Sequence, residues 1–179
     1  MTPWKTLARE KILDMGKFLI IEKHTVGLPN GREIPDWAWV ITPDYASVAA
    51  ITREGRFLCF RQIKYAIEGT SFAPPGGFID PGETPIEGAK RELLEETGYA
   101  ADEWLALGCY AGDANRGVGK AHLFLAKGAH LVASPDDEDL EEHVLLQLTR
   151  AEVENALKTG DFRVLGWMAV MALALLHLD

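Results

Sequence analysis

Three glutamates within one helical turn are the residues of this sequence most able to do chemistry. Glu92, Glu95 and Glu96 lie at positions i, i+3 and i+4, so a helix places their carboxylates on one face. Like charges this close repel one another, and the helix dipole disfavours acids near a helix C-terminus. A solvated acidic face is the ordinary explanation of such a cluster. A divalent cation would offset the repulsion, and carboxylate oxygens suit Mg²⁺, with Mn²⁺ as the alternative.

Local signals define the helix that carries these glutamates. Thr84 and Glu87 have the spacing of a capping box, and Pro85 suits the first helical position. Gly98 is placed for a left-handed C-cap. Together these signals predict a helix over residues 85–97.

The remaining patterns predict strands around this helix. Two strands, over 17–24 and 36–41, form an N-terminal antiparallel β extension within residues 1–44. Residues 45–179 form the main domain. Its predicted strands cover 46–52, 56–62, 105–111, 121–126 and 144–148, and a second helix capped by Thr149 runs to about Lys158. Strands that alternate with helices indicate an α/β fold.

The loop and helix around the glutamates resemble the Nudix box, G-x5-E-x7-R-E-U-x-E-E-x-G-U, in which U is an apolar residue. All nine defined positions are filled, by Gly77, Glu83, Arg91, Glu92, Leu93, Glu95, Glu96, Gly98 and Tyr99. Nine fixed positions over 23 residues make a highly specific match. The resemblance implies a Nudix fold, with a mixed β-sheet sandwiched between helices. It also implies metal-dependent hydrolysis of a nucleoside diphosphate linked to another moiety.

The resemblance assigns roles within the box. The implied metal ligands are Glu92 and Glu96 first, then Glu95, with the backbone carbonyl of Gly76 as an additional ligand. Arg91 is expected to pair with Glu83 and to orient the helix that bears the ligands. The alternative for this pair is a plain surface ion pair.

An acidic run over 136–142 resembles the loop that closes over the site in the ADP-ribose branch of the family. Glu141 matches the acidic position of that loop and is the first candidate for the general base, with Glu142 and Asp139 as alternatives. Acidic runs of this kind are otherwise solvated loops.

Six residues are candidates for substrate binding: Arg61, Lys64, Trp37, Trp39, Asn115 and Arg116. Arg61 and Lys64 resemble the strand that reaches the phosphates and terminal sugar in this branch; an edge strand protected by charges is the alternative. Trp37 or Trp39 is a candidate to stack on an adenine contributed across the dimer, as aromatic residues of the N-terminal sheet do in the family. Tryptophans spaced by two in a strand otherwise belong to a core or an interface.

Two departures from the branch bear on the substrate. Members that hydrolyse ADP-ribose usually carry a glutamate where this chain has Ala73, and they tend to have a proline in the region that here covers residues 113–116. One expected metal ligand is therefore missing or moved. ADP-ribose, ADP-glucose, GDP-mannose and other nucleotide sugars all remain candidates, and a non-catalytic Nudix module that senses ADP-ribose is a further alternative. The N-terminal sheet resembles the dimer interface of the branch, so a homodimer is expected.

Charge and composition exclude some classes of partner. The formal net charge is −9, and no cluster of Lys or Arg offsets it, which argues against binding to nucleic acid. The two cysteines, Cys59 and Cys109, are too few for a disulfide framework and do not have the spacing of zinc ligands. They are predicted to be buried thiols in a reducing, cytoplasmic environment. The apolar run over 164–176 is shorter than the roughly 20 residues that span a bilayer. It predicts a buried C-terminal helix, capped by Asp161, and no membrane association.

Overall fold

The structure is a computed structural model that describes residues 1–135 and 142–178. Its contacts divide the chain into two units. The first contains Met1–Asp44 and Ala111–Lys120, and the second contains Tyr45–Tyr110 and Ala121–Asp179. A segment that lies between two strands of the second unit in the sequence therefore belongs to the first unit.

The first unit contains a three-stranded antiparallel sheet. Its strands are β1 (Lys5–Asp14), β2 (Ile20–Gly27) and β3 (Glu33–Ile41), and they lie in that order in the sheet. The sequence predicted only two strands in this region. The first strand was missed because its residues mix charged and apolar types without alternation, and all ten are exposed. Its conformation follows from pairing with β2, which the sequence pattern does not reveal.

The second unit is built on a seven-stranded mixed sheet. Its strands are β4 (Tyr45–Thr52), β5 (Phe57–Ile63), β6 (Thr70–Ala73), β7 (Tyr99–Ala100), β8 (Glu103–Ala111), β9 (Lys120–Leu131) and β10 (His143–Leu148). Five of them follow one another across the sheet in the order β10-β5-β4-β9-β7, while β6 pairs with β5 and β8 pairs with β9. The pair β4 and β9 is parallel, whereas β5 pairs antiparallel with β4, β6 and β10.

Helices cover both faces of this sheet. They are α1 (Pro85–Thr97), α2 (Arg150–Thr159) and α3 (Leu165–Leu175). Side chains alternate along β4: Val48 packs with Leu93 of α1, whereas Ala49 packs with Val153 of α2 and Val170 of α3. The predicted sandwich of a mixed sheet between helices is confirmed.

Local capping fixes the ends of the first two helices. Thr84 and Glu87 form the predicted capping box of α1, and Gly98 ends that helix with φ 74°. Thr149 caps α2 in the same way. The predicted cap of α3 by Asp161 is wrong. That helix begins at Leu165 behind an N-cap without a side-chain hydrogen bond, while Asp161 accepts a hydrogen bond from Thr159.

The C-terminal helix is only 11 residues long. In the part of the chain that the structure describes, no helix combines the length and the apolar character needed to cross a membrane.

Candidate active site

The site is built where a glycine-rich loop runs beside β4 and meets the last turns of α1. The loop pairs with the strand through two backbone hydrogen bonds, Ala46 N to Gly77 O and Val48 N to Pro75 O, both 2.9 Å. The Gly76 N–H donates to Glu96 Oε2 at 2.8 Å, which joins the loop to α1.

Both loop glycines are required by close contacts. Gly76 has φ 147°, and a Cβ there would lie 2.2 Å from the carbonyl oxygen of Ala46. A Cβ at Gly77 would lie 2.5 Å from Glu92 Oε1. The loop backbone therefore lies directly against the carboxylate of Glu92.

Glu92 is held in a desolvated position. Its side chain is only 14% exposed, and burial raises the pKa of its carboxyl, while the neighbouring Arg91 partly counteracts that effect. Its carboxylate accepts a hydrogen bond from Arg91 Nη1 at 2.8 Å. Glu95 accepts from the same Nη1 at 3.0 Å but is far more exposed.

Arg91 makes five hydrogen bonds that connect the loop, the start of α1 and its acidic face. Two go to the Glu83 carboxylate, from Nε at 2.9 Å and from Nη2 at 3.1 Å. Nη2 also donates to the backbone oxygen of Phe78 at 2.9 Å, and Nη1 donates to Glu92 and Glu95. Hydrogen bonding to Glu83 raises the pKa of the guanidinium and lowers the pKa of the Glu83 carboxyl. This network is more extensive than a plain surface ion pair.

The oxygen atoms of the loop and α1 are of the kind that bind a divalent cation, although in this structure they do not form a complete coordination sphere. Within residues 1–135 and 142–178, no group of three or more His, Cys, Asp or Glu side chains is arranged to hold a metal ion. The donors that line the loop and α1 are all oxygens, and the Glu92 carboxylate is desolvated more than its hydrogen bond compensates. A hard cation would supply the missing compensation. In this structure the positive charge of the Arg91 guanidinium lies beside Glu92 and Glu95 and offsets part of their negative charge.

Arg61 lies on β5, exposed, and pairs with Val144 of β10 on one side and with Phe72 of β6 on the other. The strand is therefore interior, and the alternative of an edge strand protected by charges is wrong. Lys64 follows the same strand directly. Ala73, which stands where a glutamate was expected, is buried at the end of β6.

In the first unit, Trp37 and Trp39 line one pocket of about 390 Å³. Its other lining residues are Trp4, Lys5, Thr6, His24, Val26, Ala114 and Asn115. The Trp37 indole N–H donates to the backbone oxygen of Asn115 at 3.0 Å, and the Trp4 ring meets the Trp37 ring edge-on at 5.5 Å between centroids.

Two aromatic rings of this pocket, those of His24 and Trp4, were not predicted from the sequence. His24 is only 2% exposed and stacks on Trp39, with 5.0 Å between ring centroids. A single histidine in a strand pattern gave no signal, because its position beside the tryptophans depends on the register of β2 with β3. Trp4 was missed because it precedes a strand that the pattern did not predict.

The remaining predicted residues divide into two groups. Asn115 and Arg116 lie in the segment between β8 and β9, where the Asp113 carboxylate accepts from Asn115 N at 2.7 Å and from Arg116 Nη1 at 3.1 Å. Glu142 is exposed just before β10, whereas Glu141 and Asp139 lie outside the described residues.

The two cysteines differ in their surroundings. Cys59 is buried, and burial raises the pKa of its thiol to about 12. Cys109 is exposed on β8, so the prediction that both thiols are buried is wrong for this residue. The sequence pattern did not show that β8 carries mostly exposed residues.

The sequence is similar to known proteins over most of its length. The sequence model of the NUDIX domain matches residues 42–179. An ADP-ribose pyrophosphatase of Bacillus subtilis (strain 168) is 32% identical over 163 residues, which cover 89% of this chain and 84% of that protein. A methanol dehydrogenase activator of Bacillus methanolicus is 32% identical over 183 aligned positions, which cover 98% of this chain and 93% of that protein.

A solved structure shares the fold. The crystal structure of an ADP compounds hydrolase superimposes with a TM-score of 0.81 at 18% sequence identity, over 99% of this chain and 95% of that one.

Proposed function

The chain belongs to the Nudix family, and on that premise we propose that it hydrolyses the diphosphate linkage of ADP-ribose or a related ADP-sugar. The products are a nucleoside monophosphate and a sugar phosphate. One observation carries the proposal: the complete box folds so that the Gly76–Gly77 backbone lies against Glu92 and Glu96. The similarity to an ADP-ribose pyrophosphatase over most of both chains supports this class of substrate.

Nudix hydrolases need a divalent metal ion, and we propose that this ion is Mg²⁺ here, with Mn²⁺ as the alternative. The residues that would hold it are Glu92, Glu95, Glu96 and the carbonyl of Gly76. When bound, the metal neutralises phosphate oxygens as a Lewis acid and lowers the pKa of a bound water.

The protein's own groups orient the donors and the substrate. Arg91 holds the loop against α1 by its bonds to Glu83 and to the Phe78 carbonyl, which keeps the ligand carboxylates near the loop. Arg61 is proposed to hold a phosphate through paired N–H groups, and Lys64 to contribute a point charge. Glu141 is the proposed general base.

The pocket of the first unit is proposed to take the nucleobase. Its Trp37 ring provides flat apolar surface for a purine, and the volume of the pocket, about 390 Å³, accommodates one. Asn115 and Arg116 are proposed to contact the sugar.

We also propose that the protein is a homodimer, joined through the first unit. β1 and its flanking turns expose a set of large apolar side chains that would be buried by a second copy: Trp4, Leu7, Ile12, Leu13, Met15 and Phe18. Light scattering coupled to size-exclusion chromatography tests this state. The free thiols Cys59 and Cys109 support a reducing compartment, which we propose to be the cytoplasm.

The test is a panel of nucleotide sugars with Mg²⁺, in which the products are separated by chromatography. ADP-ribose and ADP-glucose are compared with GDP-mannose, each with and without a chelator. We expect AMP and a sugar phosphate from the ADP compounds, and no turnover in the chelator. Tight binding of ADP-ribose without turnover of any compound would favour the sensor alternative and overturn the proposal.

A second candidate is activation of an alcohol dehydrogenase. The observation that favours it is the similarity to a methanol dehydrogenase activator over nearly the full length of both chains. Addition of the protein to a purified methanol dehydrogenase, with the rate of methanol oxidation as readout, tests this candidate.

A further inference from the structure

Trp39 contacts His24 and Gly117 within its own unit. On one side the buried imidazole of His24 lies nearly parallel to the indole, with an interplanar angle of 20°. His24 Nε2 lies 2.7 Å from Glu22 Oε2, so the ring that backs Trp39 is itself held by a carboxylate. Side chains fixed in this way lose little further freedom when a neighbouring segment packs on them.

Gly117 also lies against the indole of Trp39. A Cβ at this position would lie 2.4 Å from Trp39 Nε1, 2.5 Å from Cε2 and 2.6 Å from Cζ2. Its φ is not in the left-handed region, so the requirement for glycine here is one of space. The backbone of the segment 112–119 therefore lies directly against Trp39 at Gly117.

The same segment is fastened at further points within the unit. The Trp37 indole N–H donates to the backbone oxygen of Asn115, and Gly119 N donates to Thr42 Oγ1 at 2.8 Å. The Asp113 carboxylate bonds both the backbone N–H of Asn115 and the guanidinium of Arg116. The orientation of both candidate sugar-contacting residues thus depends on how the segment sits on β3.

We propose that Trp39, backed by His24, is a positioning residue that sets the segment 112–119 and thereby the specificity for the sugar. Trp39 then acts on the substrate through Asn115 and Arg116, and the purine stacks on Trp37. The inference rests on the proposed function, because it assigns these residues to a nucleotide-sugar substrate. It adds two positioning residues, His24 and Trp39, and a required contact at Gly117.

The experiment is a double-mutant cycle of Gly117→Ala and Trp39→Phe. Alanine at 117 collides with atoms of the indole that a phenyl ring lacks or places elsewhere, so the second substitution relieves the collision created by the first. We expect Gly117→Ala to raise KM for ADP-ribose on the order of 10-fold with kcat nearly unchanged, since binding contacts are displaced and the reacting groups are not. We expect the KM of the double variant to return most of the way to the wild-type value, although this variant carries one more substitution. Gly27→Ala is the matched control, because its Cβ would meet only the flexible side chain of Leu7 at 3.2–3.4 Å.

Limited trypsin digestion gives a readout that needs no substrate. Arg116 is already exposed, but trypsin also needs the backbone around the cleaved bond to move. Displacement of the segment from Trp39 frees that backbone, so Gly117→Ala should be cut after Arg116 faster than the double variant, which has the same residue at 117. His24→Ala should raise KM in the same direction, and His24→Phe, which keeps a ring against Trp39, should raise it less.

The outcomes separate this inference from the proposed function. A wild-type protein that cleaves no nucleotide sugar overturns the proposed function, while the digestion rates still report on the segment. Additive effects of the two substitutions on KM and on digestion, or a double variant worse than Gly117→Ala, overturn the positioning role of Trp39. Unfolding temperatures of all variants exclude global destabilisation as the cause.

Discussion

Replacement of Gly77 by alanine tests whether the position of the Glu92 carboxylate matters for turnover. The new Cβ would lie 2.5 Å from Oε1 and 2.6 Å from both Cδ and Oε2, whereas ordinary contact begins at 3.4 Å. The carboxylate must therefore move by about 0.9 Å, or the loop must move by a similar distance. Gly77 does not have a positive φ, so alanine is compatible with its backbone and the strain is confined to this contact.

The expected loss follows from the size of that displacement. A misplacement of about 1 Å in a reacting site costs on the order of 10²-fold in rate. Such a loss corresponds to about 2.7 kcal/mol of transition-state stabilisation. If Glu92 holds the metal, the Mg²⁺ concentration required for half-maximal activity should also rise, by roughly 10- to 100-fold.

The assay is kcat/KM for ADP-ribose over a series of Mg²⁺ concentrations, with the unfolding temperature measured in parallel. Gly27→Ala provides the control for a glycine-to-alanine change whose Cβ meets only a flexible side chain. A Gly77→Ala enzyme with wild-type kcat/KM and an unchanged Mg²⁺ requirement would refute the assignment of Glu92 as a ligand that the loop holds in place.

Three further predictions test other contacts of the second unit. Glu96→Gln keeps an oxygen to accept from the Gly76 N–H but loses its charge; turnover should fall by more than about 10²-fold with the unfolding temperature retained, and full activity would contradict the ligand role. Gly166→Ala places a Cβ 2.6 Å from the Tyr45 hydroxyl and should lower the free energy of unfolding, measured by urea titration, by about 1–3 kcal/mol. Adding Tyr45→Phe removes that oxygen and should restore most of the lost free energy of unfolding. If the two substitutions instead cause additive losses, the contact is not the cause. Burial raises the pKa of Glu92 above its ordinary value of 4.5, so its contribution to stability is present at acidic pH and is lost as pH rises through the raised pKa. In chelator near neutral pH, Glu92→Gln should therefore unfold at a higher temperature than the wild type, and a lower one would falsify the sign.

The sequence predicted best those features that local chemistry determines. The bounds of α1 follow from Thr84 at one end and Gly98 at the other, and both caps act through neighbouring backbone groups. The box glutamates fall on one face for the same local reason. The strand β1 could not be predicted, because its exposed residues carry no alternation and its structure depends on pairing with β2.

Contacts between distant segments mark the limit of sequence reasoning at the candidate site. The pairing of Arg91 with Glu83 followed from the box, but the hydrogen bond from Arg91 to the Phe78 carbonyl depends on the path of the loop beside β4. His24 reaches Trp39 only because β2 and β3 pair in a register that sets His24 opposite Trp37. Neither contact has a signature in the spacing of the residues involved.

Glu83 and Glu92 are two of the three carboxylates that accept hydrogen bonds from Arg91, and their pKa values are shifted in opposite directions. Glu83 accepts two hydrogen bonds from the guanidinium and one from Asp80 N, and hydrogen bonding to Arg91 lowers its pKa. Glu92 accepts from the same guanidinium, yet burial dominates and raises its pKa. Ionised Glu83 therefore stabilises the fold, and this stability is lost as pH falls through its lowered pKa, whereas ionised Glu92 is a cost in the metal-free protein. The carboxylate of Glu92 is desolvated more than its contacts within the protein compensate, so it would gain more from a bound cation than Glu83 would. This difference supports the proposal, made from the match to the box, that Glu92 and not Glu83 would hold the metal.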